Sequence, residues 1–154
     1  MNNEGTFNYE QEMERIKNLF GFDFIALSLM QSAEQNFAVK WAYALGNRSN
    51  RYRRIVLQTG KGVAGNVFKT GKPLLVTSVE DELSDFKLFN FPIVRAESLT
   101  SFGAIPLYKS NRVYGVLLVA FRGDKRITPE YFAEFIEVIG PKFGQYYKEE
   151  MVKH

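Results

Sequence analysis

The sequence contains no cysteine, and the only histidine among its 154 residues is His154, at the C-terminus. The absence of cysteine excludes disulfide bonds, thiolate-bound iron–sulfur clusters and thiol nucleophiles. With one terminal histidine, we do not expect a Cys/His zinc site, a histidine-ligated haem or a Ser-His-Asp triad. Most enzyme classes are thereby disfavoured, and we expect a non-enzymatic protein with no metal and no cofactor.

Long hydrophobic runs are also missing. The longest apolar stretch, residues 113–121, is interrupted by Gly115 and is far shorter than the ~20 residues of a membrane span. The N-terminal segment MNNEGTFNYEQEMERI is polar and acidic, which is not typical of a signal peptide. We therefore expect a cytoplasmic protein with no membrane partner.

The charge is modestly positive, with 20 Lys and Arg against 17 Asp and Glu, a net charge of +3. Four arginines, at positions 48, 51, 53 and 54, lie within residues 47–54. A solvated loop is the favoured interpretation, and docking to a partner protein is the second. Nucleic acid is not expected as a partner, because no helix-turn-helix or RNP-like aromatic pattern accompanies the cluster.

The length and the apolar content of 45% predict one domain over residues 1–154. Apolar residues at helical spacing predict an N-terminal helix that ends at Gly21. Residues 22–30 and 37–45 are predicted strands joined by a polar turn into a hairpin. In the second strand, alternation places five residues on one face: Phe37, Val39, Trp41, Tyr43 and Leu45.

The second half predicts another antiparallel hairpin, with strands at residues 101–108 and 112–122. Thr128 and Pro129 then begin a helix whose apolar stripe continues through Phe143 and Tyr147, with a kink at residues 140–141. Helices at both ends and antiparallel strands between them indicate an α+β fold. The aromatic residues of these helices could form a homodimer or pack on the sheet.

The segment TGKGVAGNVFKTG, residues 59–71, predicts a glycine turn followed by a short helix closed by Gly71. The first amides of such a helix lack internal acceptors and lie at the positive end of the dipole. They are suited to an anion, although a purely structural helix start is the commoner use. The segment matches neither nucleotide-phosphate motif.

Residues 78–100 form an unusually long connection that combines acidic and aromatic residues. Within it, Phe91 precedes Pro92, which suits the first position of a helical turn, so that free amides begin at Ile93. The segment could be a lid over a pocket or an irregular connection packed by its own side chains. The position of Trp41, the only tryptophan, favours a core role over a ligand contact.

Taken together, the pattern G-x-G-V-A-G-x-V-F-x-T-G-x-P, then S-F-G-A-I-P-L and Y-G-V-L-L-V-A-F, resembles the GAF domain over nearly the whole chain. The resemblance implies a roughly six-stranded antiparallel sheet, with the terminal helices on one face and a small-molecule pocket on the other. GAF domains are mainly sensory, so the fold implies a class of function and not a ligand.

Within the family, the chain is similar to stand-alone nitrate receptors that act on a sensor histidine kinase in the control of nitrate respiration. The resemblance implies that nitrate lies among the amides of Val63, Ala64 and Ile93 and the indole of Trp41. It also implies that Phe91 and Pro92 close an apolar wall. The alternatives are a GAF module that binds another ligand, such as a cyclic nucleotide or another anion, and a dimerisation module.

Overall fold

An antiparallel sheet of eight strands runs through the middle of the chain in this computed structural model, which describes residues 7–31, 38–58 and 60–148. The strands are β1 (Phe24–Gln31), β2 (Ala38–Leu45), β3 (Val56–Gln58), β4 (Leu74–Val76), β5 (Ser101–Lys109), β6 (Arg112–Phe121), β7 (Lys142–Phe143) and β8 (Tyr146–Tyr147). Their order is β3-β2-β1-β6-β5-β8-β7, and β4 also pairs with β5.

Six α-helices flank the sheet in the described residues. They are α1 (Tyr9–Phe20), α2 (Gly62–Thr70), α3 (Val79–Glu82), α4 (Asp85–Phe89), α5 (Pro92–Ala96) and α6 (Pro129–Ile139), and a single 3-10 turn spans Arg51–Arg54. None of the helices in this part of the chain has the length and apolarity that a membrane crossing requires.

Two apolar layers cover the sheet, and alternation along each strand assigns neighbouring residues to opposite layers. In β6, for example, Leu117 and Val119 pack with α1 and α6, whereas Val116 and Leu118 pack with α2 and α5. We refer to these sides as the α1/α6 face and the α2/α5 face. Because both faces are covered, the central strands are mostly apolar and not alternately polar.

The predicted α+β fold with its terminal helices on one face is confirmed, and the sheet has eight strands where about six were expected. Helix α1 ends at Gly21, as predicted, with φ +73°. The predicted helix residue Leu19 is 58% exposed and does not join the core. The polar turn and Phe37 fall within residues 32–37, outside the described part of the chain.

The prediction of a helix running to the C-terminus is wrong. Helix α6 ends at Ile139, and Gly140 has φ +77°. Strands β7 and β8 follow as a tight hairpin that attaches to β5, through the pair Tyr108 and Tyr147. The apolar spacing fits a helix, but Gly140 at positive φ ends α6 and Phe143 is buried on the α1/α6 face from strand β7.

Aromatic residues of α6 pack on one another and on aromatic residues at the end of α1 and just before β1, on the α1/α6 face. Phe135 contacts Phe20, Phe22 and Phe132 through edge-to-face or stacked ring pairs. Packing on the sheet therefore accounts for these side chains, and homodimerisation stays a prediction.

Candidate functional site

A β-bulge in β2 determines the orientation of Trp41. Ser28 pairs with Trp41 but Leu27 pairs with Tyr43, so Ala42 is the extra residue. The Ser28 hydroxyl, fully buried, donates to the Lys40 carbonyl beside the bulge at 2.8 Å. The bulge directs Trp41 to the α2/α5 face and Tyr43 to the α1/α6 face. The prediction that both share one face is therefore wrong.

Trp41 is buried, with 3% of its surface exposed, and its indole N–H is buried without a hydrogen-bond acceptor among the described residues. An indole N–H normally finds a partner when it is buried. Leaving such a donor unpaired costs about 1–3 kcal/mol. The cost is recovered if the donor meets an acceptor that enters from outside the chain.

Helix α2 begins at a sharp glycine turn. Gly62 has φ +67°, and a Cβ built there would lie 2.5 Å from Leu57 Cδ1, so both the conformation and the space favour glycine. The N-cap residue, Lys61, makes no side-chain cap. The hydrogen bonds formed within the described residues include no acceptor for the amides of Val63 and Ala64, both fully buried.

Helix α5 presents a similar start. Pro92 is its first residue, as predicted, and Phe91 is the N-cap, whose carbonyl accepts from the amides of Val94 and Arg95. The amide of Ile93, which is 1% exposed, has no acceptor among the described residues. Phe91 and Pro92 themselves are half-buried.

The fold brings five of the six predicted site residues together. Trp41, Val63, Ala64 and Ile93 belong to one buried cluster on the α2/α5 face, and Phe91 packs against it. Pro92 adjoins the cluster through the chain but is not part of it. Residues of β2, α2 and α5 with buried N–H donors therefore belong to one apolar cluster.

A cleft of about 420 Å³ lies on the solvent side of the α2 start. Its walls come from the glycine turn and from the α3 to α5 segment, and they are Gly60, Lys61, Gly62, Asn66, Leu83, Lys87, Asn90 and Phe91. Phe91 lines this cleft and also packs against the cluster that holds Trp41. The charged side chains of the cleft, Lys61 and Lys87, are both cationic.

Sequence reasoning missed a buried carboxylate that anchors α5. Glu97, fully buried at the C-terminal end of the helix, accepts from Arg122 Nη2 at 2.6 Å and from the Arg48 amide at 2.7 Å, both through Oε1. The Arg122 Nε also donates to the Glu97 carbonyl at 2.7 Å. No local pattern could have found this pair, because its members are 25 residues apart and stand among other charged residues.

The GAF-domain family model matches residues 11–145. This chain belongs to the GAF family. The NreA protein of Staphylococcus aureus, solved with its nitrate binding site mutated, is 36% identical and superposes with a TM-score of 0.74. That match covers 78% of this chain and 87% of NreA.

A hypothetical protein from S. aureus is also 36% identical, with a TM-score of 0.73, and the match covers 77% of this chain and 95% of that protein. A type II free methionine-R-sulfoxide reductase from Thermoplasma acidophilum is 13% identical, with a TM-score of 0.63 over 90% of this chain and 89% of the reductase. That likeness shows the fold alone. No curated protein matches the sequence.

Proposed function

We propose that this GAF domain is a nitrate receptor, which holds the anion among the amides of Val63, Ala64 and Ile93 and the indole of Trp41. The observation that carries the proposal is the buried Trp41 N–H in one cluster with the amides of Val63, Ala64 and Ile93, since none of these four donors has an acceptor among the described residues. The 36% identity to NreA, whose nitrate binding site has been studied by mutation, supports nitrate as the anion.

The chemistry of nitrate suits neutral donors in an apolar surrounding. The ion is planar, singly charged and weakly basic, so it needs N–H groups around its rim and no cationic side chain. Hydrogen bonds to a charged group contribute about 1.5–3 kcal/mol each, and a helix N-terminus adds about 0.3–1 kcal/mol. Three or four such contacts, reduced by desolvation, correspond to a micromolar Kd, about −8 kcal/mol.

Divalent anions should be rejected by the same site. Sulfate and phosphate lose a larger hydration energy on burial, and the site offers them no opposite charge. Among Trp41, Val63, Ala64, Phe91, Pro92 and Ile93, no side chain carries a charge. Selectivity would thus follow from the absence of a cation as much as from the donors.

A non-enzymatic role is part of the proposal. GAF relatives of this fold include free methionine-R-sulfoxide reductases. Reduction of a sulfoxide by protein thiols requires a nucleophilic cysteine. This sequence contains none, so the chain lacks the group that such chemistry needs.

The receptor would act in the cytoplasm on a sensor histidine kinase of the NreB type and so control nitrate respiration. Nitrate would stabilise one arrangement of the α3 to α5 segment, and the kinase would bind the two arrangements unequally. The change in kinase binding that nitrate can cause is limited by the difference in binding free energy between the two arrangements.

Isothermal titration of the purified chain with nitrate, nitrite, chloride and sulfate tests the proposal. We expect binding heat with nitrate at a micromolar Kd and none with sulfate. At a nitrate concentration of 100 Kd the folded state should gain about 2.7 kcal/mol, which is visible as a rise in Tm. Absence of both heat and a Tm shift at millimolar nitrate would contradict the proposal.

The signalling step is tested separately, by autophosphorylation of the purified kinase with the receptor present. We expect the rate to depend on nitrate only when the receptor is included. A nitrate effect of the same size without the receptor would contradict the regulatory role.

A further inference from the structure

The arginine cluster of residues 47–54 forms an exposed basic surface at one edge of the sheet. The side chains of Arg48, Arg51, Arg53 and Arg54 are all exposed, and Val56 in the edge strand β3 beside them is 55% exposed. Neither of the ion pairs found in the described residues, Arg15–Glu12 and Arg122–Glu97, involves these four arginines. We call Arg48, Arg51, Arg53, Arg54 and Val56 the basic edge.

The sequence around the basic edge is rich in cations. Residues 24–79 contain eight Lys and Arg and one Glu, whereas the whole chain has a net charge of only +3. Positive charge is thus concentrated in the roughly one-third of the chain that carries β2, β3 and α2. A surface of this kind steers and binds an acidic partner.

Beneath the basic edge, Tyr52 anchors the 3-10 turn in the core. Its side chain is 5% exposed and belongs to the same buried cluster as Trp41 and Ile93. The Tyr52 hydroxyl accepts from Arg53 Nε at 3.1 Å. The arginines are therefore displayed from a fixed turn, which lowers the entropy lost when a partner orders them.

The basic edge is also joined to α5. The Arg48 amide donates to Glu97 Oε1, and Glu97 follows the helix that presents the Ile93 amide. A shift of α5 on ligand binding would move the Glu97 carboxylate and, through it, the start of the basic edge. Tyr52 offers a second connection through the shared core.

We infer that the basic edge is the docking surface for an acidic face of the partner kinase, and that nitrate controls it through Glu97 and Tyr52. The inference rests on the proposed function for the identity of both ligand and partner. A protein partner is favoured over nucleic acid because the aromatic residue of the turn is buried, which leaves no ring for base stacking, and because apolar Val56 continues the surface.

The test is a charge reversal of the full-length chain, Arg51→Glu with Arg54→Glu. Neither of these side chains forms a hydrogen bond or an ion pair within the described residues, so the fold should be retained. The matched control is Lys109→Glu with Arg112→Glu, which changes the net charge equally at the turn of the β5–β6 hairpin.

Binding to the purified cytoplasmic part of the organism's own NreB-type kinase is measured by biolayer interferometry, with and without nitrate. We expect the reversal to weaken kinase binding at least tenfold and the control to change it less than threefold. Nitrate should change the kinase Kd of the unaltered chain, and the kinase should change the nitrate Kd by the same factor. Nitrate affinity itself should stay within twofold in both variants.

Failure of this inference differs from failure of the proposed function. If the titrations show no nitrate binding, the proposed function fails, while the nitrate-free kinase measurements still decide whether the basic edge docks. If nitrate binds but the unaltered chain does not bind the kinase, or the reversal and the control behave alike, the docking surface is refuted. Tighter binding of a 20-base-pair DNA duplex than of the kinase, lost on reversal, would also overturn it.

Discussion

The Trp41 indole provides the sharpest test of the nitrate site, through the substitution Trp41→Phe. Phenylalanine keeps an aromatic ring on the α2/α5 face but removes the N–H, which has no acceptor among the described residues. Two effects on the nitrate-free protein oppose each other. Loss of apolar volume costs about 1–3 kcal/mol, and loss of an unpaired buried donor returns about 1–3 kcal/mol.

The net change in the free energy of unfolding without nitrate should therefore stay below about 2 kcal/mol. Nitrate binding should respond much more strongly, because a hydrogen bond to a charged group contributes about 1.5–3 kcal/mol. That loss corresponds to roughly a 10- to 150-fold increase in Kd. Urea denaturation measures the first quantity and isothermal titration the second.

Phe102→Leu is the matched control. Phe102 is fully buried in the same cluster and has no polar atom. The control should lower stability by about 1–2 kcal/mol through lost packing while changing the nitrate Kd less than threefold. The reasoning is refuted if Trp41→Phe binds nitrate as tightly as the unaltered chain, or if the control loses affinity to the same extent.

Three further predictions concern the fold that positions the site. Gly62→Ala should lower the free energy of unfolding by more than about 2 kcal/mol, because the added Cβ clashes with its surroundings and the φ is unfavourable for alanine. Gly123→Ala, with φ +78° but open space around the Cβ, should lower it by about 1 kcal/mol in the same urea assay. Arg122→Ala should lower the free energy of unfolding by about 3–5 kcal/mol, because it removes the cation that pairs with the buried Glu97 carboxylate. Arg15→Ala, which breaks an exposed ion pair, should lower it by less than about 1 kcal/mol, and equal losses would contradict the prediction. Burial raises the pKa of Tyr131. The contribution of the neutral Tyr131 to the free energy of unfolding is therefore complete below pH ~10 and is lost as the pH rises through the higher pKa of the folded state. Tyr131→Phe should reduce this loss of stability at alkaline pH, and an unchanged pH profile would contradict the prediction.

The elements that the sequence predicted well are those fixed by local chemistry. Helix α6 is capped by Thr128, whose hydroxyl accepts from the Tyr131 amide, and α5 begins at Pro92. The β5–β6 hairpin has its turn at Ser110 and Asn111, both with positive φ. In each case a few neighbouring residues carry the whole signal, so no distant contact is needed to read it.

The β2 bulge could not be predicted, because large apolar residues of the strand pack on both faces of the sheet. Val39, Trp41, Tyr43 and Leu45 fit an unbroken alternation, and nothing in their types distinguishes the α2/α5 layer from the α1/α6 layer. A sheet with one solvated face would have shown the shift as a polar residue out of phase. The bulge nevertheless decides on which face the indole lies. The part of the candidate site that the sequence could not predict is therefore the strand register at Trp41.

The negative charge of the buried Glu97 would repel an anion bound at the amide of Ile93. The two residues are four positions apart, which corresponds to about 6 Å along the axis of α5. Arg122 and the Arg48 amide neutralise the carboxylate and so limit its repulsion of the anion. Glu97→Gln would leave the Arg122 cation uncompensated near the site, because arginine does not deprotonate. For the Arg122 cation and a nitrate anion about 8 Å apart, with an effective dielectric constant near 20, the attraction is about 2 kcal/mol. Screening by salt reduces this value, which is therefore an upper bound. We therefore expect the Glu97→Gln variant to be less stable than the unaltered chain and yet to bind nitrate up to tenfold more tightly. The gain in affinity should become smaller as salt is added. Weaker nitrate binding than that of the unaltered chain at every ionic strength would contradict this account.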